Sequence, residues 1–245
     1  MSRAYNRIGA LVFLAASSMV GASSCAANES SIYIRSMMAS PPDTCQVTAD
    51  PSALTLSSGS FDTQFGSSYS GWMLVANQLV RRGDADRLRT ETSKVEFEKA
   101  VVRVIDPVKL GGEEDPYDDS VLVGAAGATF TTPVSGFADA STGTTPGLGL
   151  AQVLMIPNAL GKAIAKTGRA NVVVDVVLHG RTLGGIDVET WHWYFPVVIC
   201  GDGCLCDHTA CVAGSMTTDM AIANCHPGVD SPADCRLGLS ATCKM

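Results

Sequence analysis

Cysteine and histidine are the residues with the most chemistry to offer in this chain. Seven of its nine cysteines fall between Cys200 and Cys243, spaced C-x3-C-x-C-x4-C over Cys200, Cys204, Cys206 and Cys211 and then at Cys225, Cys235 and Cys243; His208 and His226 lie among them. Thiolates and imidazoles this close in sequence can hold zinc or an iron–sulfur cluster. The spacing is irregular and lacks paired C-x2-C knuckles, so the tail reads instead as a disulfide framework, and neither metal nor cofactor is expected. A second candidate is acidic: Glu113, Glu114, Asp115, Asp118 and Asp119 follow Gly111-Gly112. Loop carboxylates can ligate calcium through oxygen, but these are not spaced as in an EF-hand and read as a solvated loop.

Catalytic signatures are missing. The four histidines are His179, His192, His208 and His226, and the chain contains no G-x-S-x-G elbow and no H-E-x-x-H helix. Gly124-Ala125-Ala126-Gly127 has neither the lysine of a phosphate loop nor dinucleotide-fold spacing. Arg82-Gly83-Asp84 matches a three-residue adhesion motif of the kind that arises by chance. No catalytic residue is therefore assigned, and a chance meeting of Ser, His and Asp in space is the only route left to hydrolysis. Trp191, Trp193 and Tyr194 could stack on a sugar or peptide. Trp191 and Trp193 share parity with Phe195, Val197 and Ile199, however, which favours a core role.

The element that must position these groups is Asn171 to Cys200. Val172, Val174, Val176 and Leu178 occupy one parity and Asp175, His179 and Arg181 the other, the period of a half-buried strand with one dry face and one wet face. Leu183-Gly184-Gly185 allows a tight reversal. Afterwards Ile186 and Val188 sit on even positions but Trp191 to Ile199 on odd ones, a slip of one residue that predicts a β-bulge near Glu189 or Thr190. Pro196 cannot donate to a ladder, so the strand is expected to lie at an edge or to leave a partner there.

Other strands are predicted at Ser31 to Met37, Cys45 to Thr48, Leu54 to Ser57, Phe61 to Phe65, Trp72 to Val80, Val95 to Ile105, Val121 to Phe130 and Leu148 to Ile156, with turns or a loose hairpin over Thr131 to Thr145. One helix is predicted at Pro157 to Lys166. Proline suits its first turn, Leu160, Ala163 and Ile164 form its apolar stripe, Gly168 can cap it, and Gly161 weakens it. Many short strands with frequent turns point to a sandwich or barrel. With 245 residues, 46% of them apolar, a real core is possible. The net charge of -7 speaks against a nucleic-acid surface, which needs a basic footprint.

The first residues read as an export signal: Arg3 and Arg7, an apolar run from Ile8 to Val20, then small residues to Ser24. Losing that leader takes the charge from -7 to about -9. Ala22-Ser23-Ser24 before Cys25 resembles the lipobox of bacterial lipoproteins, with Ala22 where a larger aliphatic is usual. The resemblance implies a thioether-linked diacylglyceryl group on Cys25 and an anchor in an envelope leaflet, most naturally the outer membrane; ordinary cleavage to a secreted or periplasmic protein is the alternative. With Cys25 lipidated, Cys45, Cys200, Cys204, Cys206, Cys211, Cys225, Cys235 and Cys243 remain, an even set for disulfides. Seven of these lie in the tail, so complete pairing ties Cys45 to one of them; the individual pairs stay open.

The whole layout resembles exported bacterial lipoproteins of unknown function. That resemblance implies an all-β fold, an antiparallel immunoglobulin-like or related β-sandwich with one short helix and a disulfide-stapled C-terminal tail. The expected organisation is a signal peptide at 1–24, a lipid-anchored tether at 25–43, the sandwich at 44–199 and the cysteine-rich tail at 200–245. The expected function is a non-enzymatic binding or assembly module whose partners are the membrane, through Cys25, and an envelope protein. A secreted or surface hydrolase with an unrecognised site is the alternative.

Overall fold

A computed structural model describes residues 31–41, 44–64, 66–83, 90–106, 129–167, 171–201 and 229–230. The described residues are all-β with one short helix. The strands are β1 (Ile32–Met38), β2 (Thr55–Leu56), β3 (Gly59–Asp62), β4 (Ser68–Asn77), β5 (Val95–Ile105), β6 (Thr129–Pro133), β7 (Ser135–Ala138), β8 (Gly147–Pro157), β9 (Asn171–Thr182), β10 (Asp187–Glu189) and β11 (Trp193–Cys200); α1 spans Asn158–Lys166. They form one open sheet in the order β2-β1-β4-β8-β7-β5-β9-β11-β3, with β10 beside β9 and β6 beside β5. Every pairing is antiparallel except β11 with β3.

β7 links the two halves of the sheet, pairing with β8 on one side and β5 on the other. Gly136 lies in this link: its φ is +145°, and a Cβ there would meet the Leu150 carbonyl oxygen at 2.0 Å. The two halves then share one core. Val172, Val174, Val176 and Leu178 of β9 are all buried in it, with Val102 and Val104 of β5 and Met73 and Val75 of β4. Tyr69 of β4 meets Phe61 of β3 at 6.1 Å between ring centres, and Gly59 leaves room for its hydroxyl end.

The dry parity read along β9 is thus the inner face. The bulge is present as well: Glu189 pairs with His179 and Trp193 with Val176, so four steps on one strand match three on the other. It occupies Thr190 to His192, where the Thr190 hydroxyl oxygen accepts the Leu178 N–H at 3.0 Å and the Thr190 N–H donates to the Leu178 carbonyl. Pro196 pairs with β9 one residue before β3 joins the outer side of β11 at Val197. The strand at Ser31 to Met37 forms as β1 between β2 and β4, so the sheet begins inside the 25–43 segment. No strand covers Cys45 to Thr48.

The helix starts after Pro157 and buries Leu160, Gly161 and Ile164. Thr167 caps its end, with its N–H and hydroxyl both donating to the Ile164 carbonyl; Gly168 lies outside the described residues. Gly161 costs helix propensity but permits contact: a Cβ there would sit 2.4 Å from the Phe61 ring.

Candidate functional site

Two features of the outer surface could carry function. The first lies on β9, the strand between β5 and β11. Asp175 was read as a wet-face residue, yet it is only 1% exposed, because Arg103 of β5 and Tyr194 of β11 pair on either side and His192 lies over it. His192 Nδ1 is 2.9 and 2.8 Å from the two carboxylate oxygens. An ionised carboxylate only accepts, which places the ring proton on Nδ1. The His192 ring stacks on Tyr194, 6.3 Å between centres and 16° between planes.

Burial raises the Asp175 pKa above the usual carboxylate range; the hydrogen bond and charge of His192, and the charge of Arg103, pull it back down without cancelling the rise. The geometry is that of a base held by a buried acid, the first two members of a hydrolytic triad. Such pairs also serve purely to fill and fix a sheet surface. Four residues further along β9 toward the hairpin, His179 Nδ1 lies 3.2 Å from Glu189. Among the described residues no three His, Cys, Asp or Glu side chains converge as metal ligands.

The second feature is an open groove of about 420 Å³ on the outer face of the other half. Trp72 of β4, Phe137 of β7 and Leu148 and Leu150 of β8 line it, with Asp139 at one side. Lys94 Nζ stands 3.6 Å from the Phe137 ring centre and 3.2 Å from Asp139, holding that ring in place while half of it stays exposed. The sequence singled out neither Trp72 nor Phe137. Trp72 lies in the ten-residue β4 and Phe137 in the four-residue β7, which meet only through β8 between them, so nothing local links the two.

The tryptophans that were singled out separate. Trp193 is half-buried and stacks on Phe195 at 5.3 Å and 12°, a core anchor as expected. Trp191 is 58% exposed, contrary to expectation, because the bulge that corrects the phase also turns it out of the inner parity. Cys45 and Cys200 are each disulfide-bonded. Cys25, Cys204, Cys206, Cys211, Cys225, Cys235 and Cys243 lie outside the described residues, as do His208, His226, Asp84 and the acidic run Glu113 to Asp119.

Beyond Gly201, the tail residues described are Val229 and Asp230, and both bind the body. Val229 bridges to Phe61 of β3, and Asp230 accepts the Ser60 N–H at 2.6 Å and the Tyr69 hydroxyl at 2.8 Å. Burial and the Asp230 carboxylate push the Tyr69 pKa far up, so this phenol stays protonated and donates throughout the working range. Neither a protein-family model nor any curated protein sequence matches the chain.

Proposed function

We propose that the protein is a non-enzymatic lipoprotein of the bacterial cell envelope, anchored through lipidated Cys25, whose sandwich acts as a binding or assembly module. The observation that carries the binding reading is the open groove between Trp72, Phe137, Leu148 and Leu150. An exposed phenylalanine beside a half-buried tryptophan and half-buried leucines, with one charged pair next to them, is the ordinary making of a recognition surface. The Cys25 motif and the export signal before it support the anchor, and the cysteine-rich tail fits an oxidising compartment outside the cytoplasm. In this reading the remaining eight cysteines pair as disulfides and Cys45 ties the body to the tail.

Co-purification from envelope membranes tests the binding role. A specific partner is retained by wild type and by Trp191→Ser but lost with Trp72→Ala and Phe137→Ser; a partner retained equally by all four forms sinks the groove as its site. Intact mass of the membrane-extracted protein tests the anchor through a triacyl adduct on Cys25. The second reading, a surface hydrolase, draws on the Asp175–His192 pair. It requires ester or amide turnover that His192→Gln abolishes and Trp72→Ala spares.

A further inference from the structure

The register places one set of loops at a single end of the sandwich. Ile32 pairs with Asn77 and Asn77 with Gly147; in the other half, beyond β7, Val95 pairs with both Ala138 and Thr182. Hydrogen bonds tie the loops beyond this row together. The Ser31 carbonyl accepts the Gln78 N–H at 2.8 Å, Asn77 Nδ2 donates to the Ser93 carbonyl at 2.8 Å, and the Leu183 and Gly184 N–H groups donate to the Lys94 and Thr92 carbonyls. This end is also apolar at its surface: Val80, Leu183 and Ile186 each expose more than half of their area. Leu183 and Ile186 flank the two glycines of the β9–β10 turn, and Gly185, at φ +84°, closes it.

Several of the described charges at this end are paired. Arg81 pairs with Glu91, Arg181 with Asp187 and Lys94 with Asp139. This end also holds the start of the sheet. Six residues, Ala26 to Ser31, separate Cys25 from β1 and span at most about 20 Å when extended. The opposite end, with β2, lies farther off by the length of β1, whose 7 residues cover on the order of 20 Å. An anchor at Cys25 therefore keeps the Ile32 end near the leaflet and holds the β2 end of an upright domain away.

We propose that the Leu183–Ile186 turn is a lipid-contacting tip that inserts into the headgroup boundary of the leaflet holding Cys25. The inference rests on the anchor reading for its orientation and on exposed apolar side chains for its attraction. Apolar side chains lying at that boundary bind by area removed from water, so the contact should be insensitive to salt.

The test uses the full-length protein extracted from bacterial membranes and reconstituted into phosphatidylethanolamine–phosphatidylglycerol vesicles with brominated acyl chains. Ile186→Trp and Leu183→Trp each add a reporter at the tip, and Leu54→Trp adds an exposed one at the far end; emission of the unsubstituted protein is subtracted. The expected result is blue-shifted emission quenched by bromolipid at positions 183 and 186, unchanged by added salt, and no quenching at position 54. Tip reporters quenched no more than the one at position 54 overturn the contact, whatever the mass of the protein. A mass without lipid on Cys25, together with tip quenching, supports the contact and removes only the anchor.

Discussion

Replacing His192 with leucine isolates the cost of a buried charge at Asp175. The carboxylate is 1% exposed, and its His192 partner is 42% exposed in its side chain. Removing one member of a fully buried pair costs about 3 to 5 kcal/mol. Here the half-exposed histidine is screened by water and Arg103 still acts on the carboxylate, so the expected loss is about 2 kcal/mol. The clean comparison is His192→Leu against Asp175→Asn/His192→Leu, because neither variant titrates at position 192. They differ only in carboxyl against amide.

Burial holds the folded Asp175 pKa above its unfolded value, and removing the His192 hydrogen bond and charge, which lower it, moves it higher still. A group with a raised folded value contributes stability that is present at low pH and lost as pH rises through that value. The double variant should therefore be the more stable of the two by about 2 kcal/mol at pH 8, and the gap should close toward zero near pH 4. Urea unfolding followed by tryptophan emission at both pH values reads the gap. A gap of the same size at pH 4 and pH 8, or none at pH 8, refutes the claim that desolvation dominates at Asp175.

Three further outcomes follow from particular contacts. Tyr69→Phe removes a buried donor to Asp230 and should cost about 1 to 3 kcal/mol, with faster proteolytic release of the tail read by mass spectrometry. Gly136→Ala places a methyl against a backbone oxygen at φ +145° and should cost more than about 2 kcal/mol, whereas Gly71→Ala meets only the flexible end of Met37 and the Met155 sulfur and should cost about half as much or less in the same urea assay. Trp193→Ala should cost about 2 to 3 kcal/mol through lost stacking on Phe195, while Trp191→Ala, at an exposed position, should stay within about 0.5 kcal/mol; equal losses at the two positions would show the parity assignment to be wrong.

What could be read in the chain was whatever repeats locally. The alternation of valines in β9 fixes its inner face, and the one-residue phase slip locates a bulge to within two residues. Both are properties of neighbouring positions. The helix is legible for the same reason; Thr167 caps it, and Gly168 lies outside the described residues. Parity, however, describes only which side of a strand a residue occupies, not what covers that side. Asp175 was placed on the correct face and the wrong solvent, because its burial depends on Arg103, Tyr194 and His192 arriving from two other strands.

The same limit explains the groove. Trp72, Phe137 and Leu150 come together because β4 and β7 pair with β8 from either side, a meeting of three strands that no single stretch of sequence displays. A signal for Asp175 did exist: one carboxylate in the middle of VVVDVV is costly in any strand flanked on both sides. Chains keep such a residue where a partner meets it. Here the partner is an imidazole from across the hairpin, since the bulge that turns Trp191 outward holds His192 against the carboxylate. One local irregularity thus sets both features of this surface, since the extra residue that exposes the tryptophan also delivers the histidine to the buried acid.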